Sequence, residues 1–265
     1  MLFRSQVVDR MRKMFPVDEG TNFGVHVLAI IIGRNGPDGF VPVSFEGTGF
    51  VIAPGLLVTC WHCVRTPPPA DHWYAVIVER DDGRGYRGVF LTNISQHPAG
   101  LDLAIAGIDH RPAEFFRLAD KGLQSGTRVY SWGYPLSRVR PLPDGGTTFM
   151  LEPRHLEGYV IRPFRDEDRG CGMTEAYELD MPTPEGLSGA PLIRMGSKEV
   201  VGVVYGTNEV ALIKQFEQVD EDGRREPEIH RVVSFGLAHS TSSLHSLSGP
   251  ATGGIPLGQC MQNKR

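Results

Sequence analysis

Three short segments of this 265-residue sequence carry side chains that together can act on an acyl bond. The first runs Gly47-Thr48-Gly49-Phe50-Val51-Ile52 and then Leu57-Val58-Thr59-Cys60-Trp61-His62-Cys63-Val64, two short apolar strands that deliver a histidine where the second one ends. The second, Leu101-Asp102-Leu103-Ala104-Ile105, opens an apolar strand with a carboxylate that burial would oblige to find a partner. The third, Pro184-Glu185-Gly186-Leu187-Ser188-Gly189-Ala190-Pro191-Leu192, sets a serine in a glycine-rich loop whose backbone N–H groups can face a ligand. Each residue alone has a structural explanation, as a core histidine, a local cap or a turn serine. Their order is what points to chemistry: Asp102 follows His62 by 40 residues, and Ser188 follows Asp102 by 86. A serine hydroxyl becomes a useful nucleophile near neutral pH by passing its proton to a base with a pKa near 7, which an imidazole supplies when an aspartate fixes its tautomer and stabilises its cation. The order His, Asp, Ser is neither the Asp-His-Ser order of subtilisin nor the Ser-Asp-His order of the α/β-hydrolases. The G-x-S-x-G elbow of the latter is also missing, because Ala190 stands two positions after Ser188.

The elements that must position these residues are short strands. Apolar, β-branched runs recur at Val25–Ile32, Gly49–Ile52, Leu56–Thr59, Tyr74–Val78, Val89–Ile94, Leu103–Ile108, Arg128–Trp132, Gly158–Ile161, Ala176–Leu179, Pro191–Ile193, Val200–Tyr205 and Val232–Ala238. Glycine (32) and proline (20) make up about a fifth of the chain, above the usual share of about 12%, and supply the turns between them. No long helical period and no repeat of fixed length intervenes, so the pattern predicts an all-β sandwich or a pair of barrels. A net charge of −4 gives no electrostatic reason to expect nucleic acid, and no apolar stretch approaches the 18 residues of a membrane span.

With these motifs in place, the sequence resembles the trypsin-like (chymotrypsin-fold) serine peptidases, in particular the short bacterial type similar to the HtrA protease domain. The resemblance covers about residues 22 to 246. It extends to Gly133-Tyr134-Pro135 at a strand end, Val201-Gly202-Val203 after the serine strand, and Phe235-Gly236-Leu237-Ala238 as the last strand before a C-terminal helix. It implies two six-stranded antiparallel β-barrels with the active site in the cleft between them, His62 and Asp102 on the first and Ser188 on the second. It also implies a serine endopeptidase working through an acyl-enzyme on a protein or peptide substrate, with the oxyanion met by the backbone N–H groups of Gly186 and Ser188 and no cofactor or metal. The alternative carried beside it is a catalytically silent binding or sensor module on the same fold.

Departures from that family carry information of their own. In secreted members the cysteine after the catalytic histidine pairs with one upstream; Cys63 matches it, yet no cysteine precedes Cys60. Leu187 stands where zymogens place the aspartate that receives a new N-terminus, which excludes activation of that kind. Control would then fall to loop ordering, a regulatory partner or an attached domain. The substrate pocket would be lined by Pro182, Thr183, Val204, Tyr205, Gly206 and Gly236. Pro182 replaces the acidic base of a trypsin pocket and Val204 the histidine of glutamate-specific relatives, leaving a small or apolar side chain as the expected preference. Thr207 to Arg231 is long for its place and densely charged toward its end, which predicts a solvated hairpin tip.

Val7, Val8, Met11, Met14 and Phe15 predict an amphipathic helix within residues 1–20, stopped by Pro16 and packed on a main domain of residues 21–247. Residues 248–265, rich in Ser, Gly and Pro, are expected to be a flexible tail. The N-terminus lacks a secretory pattern, and the four cysteines (Cys60, Cys63, Cys171, Cys260) form no evident disulfide framework, so a reducing cytoplasm is the expected location. Cys60-x-x-Cys63 lacks the second ligand pair of a structural zinc site.

Overall fold

The computed structural model describes residues 26–36, 39–79, 86–113, 115–141, 147–167, 173–219 and 225–262. The amphipathic segment expected at 1–20 and Cys171 lie outside them. Six antiparallel strands, β1 (Val27–Gly36), β2 (Gly39–Ala53), β3 (Leu56–Thr59), β4 (Trp73–Glu79), β5 (Tyr86–Gln96) and β6 (Ala104–Ile108), close into a barrel in the order β1-β2-β3-β6-β5-β4. The closing seam pairs Ile30 with Val76 and Ile32 with Tyr74. Because strand side chains alternate in direction, these β-branched runs send one face inward, and Leu28, Ile30, Phe50, Ile52, Leu57, Val76, Leu103 and Ile105 are buried together. Each such burial contributes about 1.5–3 kcal/mol.

The second half contains β7 (Arg117–Leu118), β8 (Arg128–Gly133), β9 (Arg138–Pro141), β10 (Thr147–Met150), β11 (Arg154–Glu167), β12 (Met173–Leu179), β13 (Pro191–Arg194), β14 (Glu199–Val219) and β15 (Arg225–Ser240). Six of them pair antiparallel in the order β13-β8-β11-β12-β15-β14, and β13 also pairs with β14, joining the two ends of the sheet. β7 adds a short parallel edge to β14, and β9 and β10 form a separate hairpin. Leu179, Leu187, Leu192, Val201, Val204 and Ala238 fill this second core. The long insertion between the strands after the serine is a continuation of β14 and β15 as one antiparallel hairpin, paired as far as Val219 with Arg225.

The chain then turns through α1 (Thr241–Ser246), a 3₁₀ turn at Pro250–Thr252 and α2 (Leu257–Gln262). This corrects the expected flexible tail for residues 248–262. Leu244, Leu247 and Leu257 are buried in the cluster built around the first barrel, and Leu257 N–H donates to Leu247 C=O at 2.8 Å. Three apolar anchors spaced among the polar residues are enough to dock the segment. Among the described residues no helix is long and apolar enough to cross a membrane.

Candidate active site

β3 ends at Thr59, and a 3₁₀ turn over Trp61–Cys63 immediately lifts His62 from the barrel wall into the space between the two halves. Asp102 lies in the loop entering β6, held between the buried Leu101 and Leu103. One carboxylate grips the histidine twice. The His62 backbone N–H donates to Oδ1 at 2.8 Å and Nδ1 donates to Oδ2 at 2.6 Å. With the Nδ1 proton committed to Asp102, Nε2 is left with a lone pair on the other side of the ring. The side chains keep 31% and 17% of their exposure, so solvent only partly screens the pair. Burial alone would lower the His62 pKa and raise that of Asp102. Burial is the largest single influence on each, but the hydrogen bonds and charge attraction acting on the pair together outweigh it, so His62, helped also by the neighbouring Cys63 sulfur, lies above its ordinary 6.5 and Asp102, helped also by His239, lies below 3.8.

Ser188 sits in the loop between β12 and β13. Its carbonyl accepts from Thr48 N–H on β2 at 2.9 Å and from Cys63 Sγ at 3.6 Å, which seats the serine against the turn that carries His62. Gly189 makes this approach possible: it adopts φ +86°, and a Cβ there would collide with Thr48 C=O and Thr59 Oγ1. The Ser188 hydroxyl donates to Tyr205 C=O at 3.5 Å, a long contact, and among the described residues no hydrogen bond joins it to His62. In a ligand-free site such bonds are commonly long and tighten when substrate arrives.

The amides around the serine are oriented by their own peptide planes. Glu185 C=O accepts from Leu136 N–H at 2.9 Å, and Leu187 C=O accepts from Ala190 N–H at 2.9 Å. In a trans peptide the N–H points opposite to the C=O, so Gly186 N–H and Ser188 N–H both face away from these partners. Neither amide has an acceptor among the described residues. Gly186 holds φ +90°, and its own carbonyl is tied to Thr48 Oγ1 at 2.8 Å.

The six residues expected to line a substrate pocket separate into two groups. Thr183, Gly206 and Gly236 come together: Thr183 Oγ1 donates to Gly206 C=O, and a Cβ on Gly236 would lie 2.6 Å from Thr183 Cγ2. Pro182 is exposed, Val204 points into the second core, and the buried Tyr205 ring stacks on His239 at 4.3 Å between centroids. Val204 and Tyr205 thus spend their side chains on packing, the one in the second core and the other against His239, while the Tyr205 carbonyl reaches Ser188. Thr207, missed by motif reading, completes the group by donating from Oγ1 to Thr183 C=O at 2.8 Å. Thr48 was missed as well, and only the glycines on either side of it marked its position.

Cys60, His62 and Asp102 place a sulfur, a nitrogen and an oxygen within 4.8 Å of one another, a donor set that zinc accepts. Nδ1 and Oδ2 at 2.6 Å are hydrogen-bonded to each other, closer than the about 3.3 Å that separates two ligands of a tetrahedral zinc. Cys60 Sγ is engaged by Val204 C=O at 3.2 Å. None of Cys60, Cys63 and Cys260 is in a disulfide.

Two six-stranded antiparallel sheets, with a His–Asp pair at the edge of one and a glycine-flanked serine on the other, define a trypsin-like fold. The chain belongs to the family of the trypsin-like peptidase domain, whose family model matches residues 47–203. It is 26% identical over 165 residues to the serine protease Rv3671c of Mycobacterium tuberculosis, covering 61% of this chain and 36% of that protein. The chain therefore spans little more than a third of that curated relative. Among solved structures it is similar to the active form of the M. tuberculosis Rv3671c protease, with a TM-score of 0.52 at 20% identity over 83% of this chain and 78% of the other. It is also similar to the HtrA-type protease AlgW, solved with a decapeptide, with a TM-score of 0.50 at 18% identity over 84% and 63% of the two chains.

Proposed function

We propose that this chain is a serine endopeptidase that cleaves a protein substrate through His62, Asp102 and Ser188. The observation that carries this reading is the two-point grip of Asp102 on His62, beside a serine loop whose Gly186 and Ser188 amides have no acceptor among the described residues. On substrate binding the Ser188 hydroxyl exchanges its long contact with Tyr205 for His62 Nε2. Oγ attacks the peptide carbonyl as its proton passes to Nε2, and Asp102 stabilises the resulting imidazolium. Gly186 N–H and Ser188 N–H receive the oxyanion; one such donor is worth about 10² to 10³ in rate. The imidazolium then gives its proton to the leaving amine, and a water repeats the sequence on the Ser188 ester to release the acid.

The hydroxyl bonds of Thr183 to Gly206, and of Thr207 to Thr183, draw the two pocket walls together. A site zipped in this way takes a small apolar side chain before the cut. Fluorophosphonate labelling tests the whole reading. The wild type is expected to form a covalent adduct that Ser188→Ala loses completely, and a peptide library is expected to be cut after small residues. A specific observation favours a second reading, a silent binding module: Ser188 Oγ is turned to Tyr205 rather than His62. A wild type that takes no label at any pH, with or without peptide, would decide for that reading.

A further inference from the structure

The 134–137 turn, between β8 and β9, presses directly on the serine loop. Ser137 N–H returns to Tyr134 C=O at 3.4 Å, with Pro135 and Leu136 at the two corners, and Leu136 has φ +61°. Proline at the first corner and a positive φ at the second match a type II turn, whose second corner ordinarily needs glycine. Leucine there is an outlier, and packing does not account for it, because Leu136 is 48% exposed. What the conformation does secure is a hydrogen bond. Type I and type II turns differ by a flip of their central peptide, here the one between Pro135 and Leu136. In the type II form Leu136 N–H faces the serine loop and donates to Glu185 C=O at 2.9 Å. In the type I form that a leucine would adopt more readily, the Pro135 carbonyl would turn toward the Glu185 carbonyl, and the two oxygens would repel.

The Glu185 carbonyl belongs to the same peptide as Gly186 N–H, so whatever turns the one turns the other. The contact is close on all sides. A Cβ on Gly186 would lie 3.0 Å from Tyr134 C=O and 3.3 Å from Pro135 Cα, and Thr48 Oγ1 accepts from Tyr134 N–H at 3.1 Å while donating to Gly186 C=O. We infer that Leu136 is a positioning residue: its strained turn holds the Glu185–Gly186 peptide with the N–H toward the cleft, and a flip of that turn would dismantle the oxyanion site. This rests on the peptidase reading above and adds to it the element that sets the site.

Backbone preference at position 136 provides the test. Leu136→Val, whose β-branched side chain resists a positive φ, is expected to lower the fluorophosphonate labelling rate and kcat by at least about tenfold, toward the value of one lost donor, with KM unchanged within about twofold. Leu136→Gly, for which positive φ is unstrained, is expected to label at least as fast as the wild type. Crystal structures of the wild type and both variants should show the Leu136–Glu185 bond broken and the Gly186 amide turned only in Leu136→Val. Equal rates in wild type and Leu136→Val, or an equal loss in Leu136→Gly, overturn the inference, the latter because it would make the side chain the important part. A wild type that takes no label removes the peptidase reading instead. The crystal structures then decide alone: an unmoved Gly186 amide in Leu136→Val overturns the positioning role, and a turned one supports it.

Discussion

At the scale of single residues, the His62–Asp102 bond would set the pH at which the proposed peptidase can work. A general base must be unprotonated, and the pair raises His62 above 6.5, so kcat/KM is expected to rise with pH along a limb whose midpoint lies above 6.5. The same shift acts on stability with the opposite sign. Protonated His62 favours the folded state fully below 6.5, and that contribution fades as pH rises through the raised value. Asp102→Asn removes the carboxylate and leaves burial, which lowers the histidine, as the dominant influence. Its midpoint should therefore move down while kcat falls by about 10⁴. An NMR titration of the His62 ring in both proteins checks the shift apart from turnover; a midpoint that fails to fall in Asp102→Asn would refute the account. That His62 meets Asp102, and that Ser188 lies against the turn carrying His62, was legible in the sequence because few structural needs put those types in that order. Thr207 and Leu136 were not, since a threonine in a strand looks like any β-former and nothing around Leu136 announces a positive φ.

At the scale of elements, the strands were legible because β-branched runs alternate between turn residues, and each of the twelve expected runs overlaps an observed strand. β7, β9 and β10 were not, being two to four residues long and, in β7 and β9, rich in arginine. What sequence periodicity could not supply is the joint between elements, and Thr48 is that joint. Its buried hydroxyl accepts from Tyr134 N–H at the end of β8 and donates to Gly186 C=O, while its backbone N–H holds Ser188 C=O. Thr48→Val keeps the shape and strips the hydroxyl, leaving a donor and an acceptor buried without partners at a cost of about 2–4 kcal/mol. Thr48→Ser restores both bonds. Denaturant unfolding should place Thr48→Val well below the wild type and Thr48→Ser near it, and kcat should fall in the valine variant alone. Equal stability of all three would mean that the two bonds are replaced by water.

At the scale of the whole molecule, the two halves of the site come from different sheets, so any element that spans both also guards the alignment of Ser188 with His62. The C-terminal segment is such an element. It leaves the second sheet at β15, and α1 bonds back to the first barrel's loop, where His97 Nε2 lies 3.1 Å from Ser243 C=O and 3.0 Å from Ser246 Oγ. The 3₁₀ turn lays Gly249 against Ser95 and Ile105, and α2 inserts Leu257, fully buried, into the first barrel's cluster. Composition pointed to a tail because Ser, Gly and Pro dominate it. Yet those residues make the turns between a few buried leucines, and such sparse anchors carry no periodicity to read. If the segment acts as a strap, Leu257→Ala should cost about 2–5 kcal/mol, as other buried leucine truncations do. Removing residues 249–265 should cost more and depress kcat along with the melting temperature. Restoring residues 249–262 alone should recover both, because the buried anchor lies within that span. A truncated protein that melts and labels like the wild type would show that the two sheets hold the triad together without it.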